Sequence, residues 1–85
     1  MHAPMIDLQE FLFLSLDDRA TAVWEQGTFL GVRLEGEYTL ALYHMGHFFC
    51  EVWYNSLSDE IALIQGFTSA TQLEPYLKQI ELPQF

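Results

Sequence analysis

Basic residues, cysteine and long apolar runs are all scarce in this 85-residue chain, and each shortage closes a class of function. Only Arg19, Arg33 and Lys78 are cationic, against twelve carboxylates and a formal net charge of −9. A surface of that sign repels phosphate backbones and anionic bilayers, so neither nucleic acid nor membrane is an expected partner. The acids are spread along the chain rather than gathered in a tail, as on a solvated surface. The single cysteine, Cys50, leaves no internal disulfide and suits a reducing compartment. Met1-His2-Ala3-Pro4-Met5 lacks the basic and apolar regions of a signal peptide, and nothing approaches the ~18 apolar residues of a membrane span. The expected location is the cytoplasm.

Apolar residues make up 51% of the chain and aromatics 15%, enough to fill a core and too many for a disordered segment. The length is that of one domain, 1–85. The pattern at its start is helical. Asp7-Leu8-Gln9-Glu10 fits a capping box, with Leu8, Phe11 and Leu12 at helical spacing, which predicts a helix over 8–14. Ser15 can cap a second helix over 16–26, with Asp17 and Asp18 favoured by the dipole. Leu16, Ala20, Val23 and Trp24 would form its buried face, and Gly27 would end it in the left-handed region.

After Gly27 the period changes from 3.6 to 2. Leu30, Val32 and Leu34 alternate with Phe29, Gly31, Arg33 and Glu35 in a strand ending near Gly36, and Tyr38, Leu40 and Leu42 alternate with Thr39, Ala41 and Tyr43 in the next. A three-residue loop His44-Met45-Gly46 would set Leu42 opposite Phe48, Leu40 opposite Cys50 and Tyr38 opposite Val52. A two-residue Met45-Gly46 turn would pair Leu42 with Phe49 instead. The three-residue loop is preferred because it keeps Glu51 off the apolar face. Turn residues Asn55 to Asp59 lead into a fourth strand, 60–67. Thr71 to Glu74 offers a capping box, with Pro75 at the first helical position nearly as good a start. Leu73, Leu77 and Ile80 would form that helix's apolar stripe, Glu74 and Lys78 an i, i+4 pair, and Pro83 its stop. The expected fold is α+β: two N-terminal helices, a four-stranded antiparallel meander sheet and a C-terminal helix.

The segments Asp18 to Leu30, Phe48 to Asn55 and Leu73 to Leu77 resemble a group of small bacterial proteins of similar length to which no activity is assigned. The resemblance implies a helix–strand–helix pattern and no chemistry.

Possible reaction centres have plainer structural readings. His44 and His47 form an H-x-x-H pair with Cys50 and Glu51 beyond, all zinc-ligand types, yet Cys50 and Glu51 fall on opposite faces of a strand. No metal site and no cofactor is expected. Cys50 lies among Phe48, Phe49 and Val52, where burial raises a thiol pKa and makes it a core residue rather than a nucleophile. Ser15, Ser56, Ser58 and Ser69 sit at caps and turns without a nucleophile elbow, and no glycine-rich phosphate loop occurs. Asp17-Asp18 and Asp59-Glu60 suit helix-start and turn positions. No catalytic residue is assigned, and an enzyme is unsupported.

The informative surplus is aromatic. By strand parity, Phe29, Arg33, Ala41, Tyr43, Phe49, Glu51 and Trp53 share one sheet face. With the helices on the other face, this one would form a binding surface anchored on Phe29, Arg33, Tyr43, Phe49 and Trp53, with Arg33 facing Glu51 or a partner's carboxylate; the alternative is that the C-terminal helix packs there, giving three buried layers. The leading expectation is a small acidic interaction domain that forms a homodimer or meets another protein. Two alternatives stand beside it. One is an inhibitor or immunity-type protein whose acidic surface meets a basic partner; the other is a small-molecule binder with a pocket between sheet and helix.

Overall fold

Two capped helical turns open the described part of the chain, which in this computed structural model covers residues 5–77. Helix α1 (Leu8–Leu12) begins with the expected capping box: Asp7 accepts the Glu10 N–H at 2.8 Å, and Glu10 accepts the Asp7 N–H at 3.3 Å. Five residues cannot sustain a helix alone, so its place depends on Phe11, which is fully buried. Helix α2 (Leu16–Gln26) starts where Ser15 Oγ accepts the Asp18 N–H at 3.1 Å, with Asp17 and Asp18 in its first turn. It turns Ala22 and Val23 to the core, which leaves Trp24 not the expected core residue but 53% exposed.

Gly27 is extended rather than left-handed, with φ −84° and ψ 148°. Space, not φ, requires the glycine. A Cβ there would lie 2.7 Å from the Val23 carbonyl oxygen and 3.1 Å from Met45 Sδ. The chain therefore passes directly from α2 into the sheet.

Strands β1 (Thr28–Glu35), β2 (Tyr38–His44), β3 (Phe49–Asn55) and β4 (Ile61–Phe67) form one antiparallel sheet in sequence order. The α+β class and the four-strand meander are as the sequence predicts. Gly36, with φ 58°, opens the two-residue turn Gly36-Glu37 between β1 and β2. Between β3 and β4, Asn55 Oδ1 accepts the Leu57 and Ser58 N–H groups at 2.9 and 3.2 Å, and Asp59 takes φ 60°.

The β2–β3 register corrects the expected one. Leu42 faces Glu51, Tyr43 faces Cys50, Leu40 faces Trp53 and Tyr38 faces Asn55. The tip is Gly46-His47, with Gly46 at φ 93° and the Met45 N–H donating to the Phe48 carbonyl at 2.8 Å. The turn thus takes its glycine at the first central position, as the Gly36 turn does. It also brings Met45 and Phe48 opposite each other, both buried under the helices. A second irregularity lies in β1. A bulge between Phe29 and Gly31 reverses the alternation there, so Phe29 pairs with Tyr43 while Gly31 pairs with Leu42.

Each face has its own core. Under α1 and α2 lie Phe11, Val23, Ala41, Met45, Phe48, Cys50, Val52 and Ile64. On the opposite face Leu42 and Phe67 meet Leu73 and Tyr76 of a 3-10 segment, Ala70–Tyr76. This segment replaces the expected α-helix. It is capped by Ser69, which accepts the Thr71 N–H at 3.3 Å, and not by Thr71; Pro75 lies inside it rather than at its first position. Three residues per turn align Leu73 with Tyr76, which explains why Tyr76 is buried and Leu77 is 50% exposed. Lys78, Ile80 and Pro83 lie outside the described residues. Among the described residues no helix is long and apolar enough to cross a membrane.

Candidate interaction surface

The bulge and the hairpin register together divide the predicted surface. Phe29, Ala41 and Tyr43 lie on the helix side of the sheet; Arg33, Phe49, Glu51 and Trp53 lie on the other. The five expected anchors therefore do not form one patch. Phe49 stacks on Phe67 with ring centroids 5.8 Å apart, and Trp53 meets Tyr38 edge-on at 5.6 Å. Both are partly buried within their own face.

Arg33 and Glu51 do meet, in a buried polar cluster. Glu51 is only 3% exposed and shares its face with Leu40, Leu42 and Phe67. It is tolerated there because its Oε2 accepts the Tyr76 hydroxyl at 2.6 Å and lies 3.4 Å from Arg33 Nη2. The Arg33 guanidinium also sits over the Tyr76 ring, 5.5 Å from its centroid, and its Nη1 reaches Glu35 at 2.6 Å. Burial first, and then the hydrogen bond to Glu51, push the Tyr76 phenol well above its ordinary range. The cluster fixes the 3-10 segment to the sheet. The rule that a carboxylate avoids an apolar face fails here because two partners compensate the charge.

The helix side carries an open apolar strip on the sheet itself, apart from the exposed Leu12, Phe13 and Leu16 around the α1–α2 junction. Trp24, Phe29, Val32 and Leu34 are 53%, 56%, 44% and 76% exposed. Trp24 and Phe29 both contact the partly buried Tyr43 edge-on, at 6.0 and 5.7 Å. Val32 and Leu34 continue the strip along β1, opposite Ala41 and Thr39. Of the predicted anchors, Phe29 and Tyr43 belong to it. Trp24 is exposed where the helical pattern sets it in the core; Val32 and Leu34 lie on the helix side as strand parity has them, but uncovered, and the bulge brings Phe29 over to join them. Glycine at position 31 was the available signal, since an isolated strand glycine often marks a bulge.

The outer edges of the sheet differ as well. In the β2–β3 hairpin the Met45/Phe48 pair is hydrogen-bonded, so odd residues of β2 bond to β3 and even residues bond to β1. The backbone groups of Gly31, Arg33 and Glu35 then point inward, and those of Val32 and Leu34 point out from the sheet. The same count along β3 turns Ile64 of β4 outward. Its carbonyl accepts Arg19 Nη1 at 2.8 Å, while Arg19 Nη2 donates to the Leu12 carbonyl at 2.9 Å. No described residue caps Val32 or Leu34 in this way.

Cys50 is fully buried under the helices, and its thiol is pushed up to about 12, by burial first and then by the Glu51 charge. His44 packs on Phe49, with centroids 5.1 Å apart, and His47 occupies the hairpin tip. Among the described residues no three His, Cys, Asp or Glu side chains converge as metal ligands. No protein-family model, curated protein or solved structure was found to match the chain.

Proposed function

We propose that this chain is a small acidic protein-interaction domain that self-associates through the strip Trp24, Phe29, Val32 and Leu34. The observation that carries the reading is the exposure of Phe29, Val32 and Leu34 on one side of an edge strand, with Trp24 of α2 meeting the same Tyr43 ring as Phe29. Four large apolar side chains 44–76% exposed make a patch of the class, ~300–600 Å², at which the largest patch of a monomer is often functional. Two copies would bury less than the ~1,200 Å² of a standard interface, so the expected dimer is micromolar. The charge of −9 opposes association over long range, but the field is screened beyond about 8 Å at physiological salt. Added salt should therefore strengthen the dimer. Sedimentation velocity from low to high micromolar concentration tests the reading, with Trp24→Glu as the disrupted variant. A wild type that stays monomeric throughout overturns it.

A further inference from the structure

We propose that β1 pairs antiparallel with β1 of a second copy, centred on Leu34, so that two four-stranded sheets join edge to edge. This rests on the self-association proposed above and specifies its geometry. The outward backbone groups of Val32 and Leu34 supply the donors and acceptors, as in strand addition to a sheet edge. Outward residues must meet outward residues, which limits the possible registers. A register centred on Arg33 sets the two guanidinium groups opposite each other and is unfavourable. One centred on Val32 runs into the Phe29–Gly31 bulge. Centred on Leu34, the strand sets each Arg33 opposite the other copy's Glu35 and Leu34 opposite its own equivalent. Val32 then faces Gly36 of the other copy.

The two sides of such a joint are consistent with its surroundings. On the helix side, Val32 and Leu34 of both copies form one apolar cluster continuous with Phe29 and Trp24. On the opposite side, Arg33 and Glu35 alternate in sign across the two strands. Each Arg33 already holds Glu35 of its own chain through Nη1 and Glu51 through Nη2. Each terminal nitrogen carries a second N–H, through which the other copy's Glu35 can share the guanidinium. The occupant is a second copy because the Arg33/Glu35 pattern is complementary to itself under a twofold axis, although the whole molecule is acidic.

Cysteine cross-linking tests the pairing. Leu34→Cys should form a disulfide-linked dimer on mild oxidation, since directly opposed Cα atoms at ~5.5 Å lie within disulfide reach. Cys50 is fully buried and should stay silent. Val32→Cys should not cross-link, because two Val32 positions would be roughly 13 Å apart along the strands. Glu35→Arg should weaken the dimer about tenfold or more by turning both ion pairs repulsive. Glu60→Arg, the same charge change in the β3–β4 loop, should instead strengthen the dimer by reducing overall repulsion. If Val32→Cys links and Leu34→Cys does not, the register is overturned. If neither links while the wild type sediments as a dimer, edge pairing is overturned and association through the apolar strip stands. A monomeric wild type removes both.

Discussion

At the β4 edge, Arg19 donates to the outward carbonyl of Ile64 and ties it to the end of α1, whereas at the β1 edge the outward groups of Val32 and Leu34 meet no described residue. A sheet edge is a template for further strands, and proteins blunt it with charge, bulges or covering elements. Here the two edges divide those devices. β4 has a cation on its outward carbonyl and two helices against it; β1 has a bulge at one end and the 3-10 segment against its other face, but no cation on its outward groups and an apolar side left open. The difference teaches that protection of an edge can be local, and that the unprotected edge is where association is to be sought.

Four measurements would break or sharpen that contrast. The largest effect is expected from Phe11→Ala, which removes the fully buried ring anchoring α1 and should cost about 3–5 kcal/mol in urea unfolding. Arg19→Ala removes two hydrogen bonds from a charged donor and the cation over Phe11, and should cost about 1.5–3 kcal/mol. It should also open the β4 edge, so light scattering is expected to report species larger than a dimer. Tyr76→Phe leaves Glu51 buried with one partner fewer, at a cost of about 1–3 kcal/mol. Leu34→Asp, on an exposed side chain, should change stability by less than about 0.5 kcal/mol while abolishing association. If Leu34→Asp instead destabilises the fold as much as Arg19→Ala, the β1 edge is not open and the contrast fails.

Alkaline pH examines the interior on both sides of the sheet. The Cys50 thiol rises from 9.0 to about 12 on folding, and burial raises Tyr76 as well. A group whose folded pKa is raised keeps its proton longer in the native state, so its stabilising contribution is complete below the unfolded pKa and is lost as pH climbs. For Cys50 the loss runs from about pH 9 to about 12, at up to about 1.4 kcal/mol per pH unit. Cys50→Ala should flatten that part of the profile, as read from urea midpoints across the window.

Much of the fold was legible because it depends on local signals. Asp7 and Ser15 announce their caps, and the change of period at Gly27 marks the entry to the sheet. The interaction surface was less legible because faces depend on counting, and a single added residue inverts a count. The Phe29–Gly31 bulge and the Gly46-His47 tip each did so, moving Phe29 and Tyr43 away from Arg33, Phe49 and Trp53. Tyr76 is not legible from an α-helical stripe of Leu73, Leu77 and Ile80, because the chain winds there with three residues per turn. The pairing of Arg33 with Glu51 survived these errors, since both shifts left the two residues on the same face.

Glu51 also decides what this face can be without its cover. With the 3-10 segment taken away, Leu40, Leu42, Phe49 and Phe67 would surround a carboxylate lacking its hydroxyl donor, and an apolar surface laid over them would bury that charge at a cost. With the segment in place, the Tyr76 hydroxyl donates to the carboxylate and both side chains are buried. The same residue thus penalises any apolar cover that brings no donor and is the polar point at which the correct one attaches.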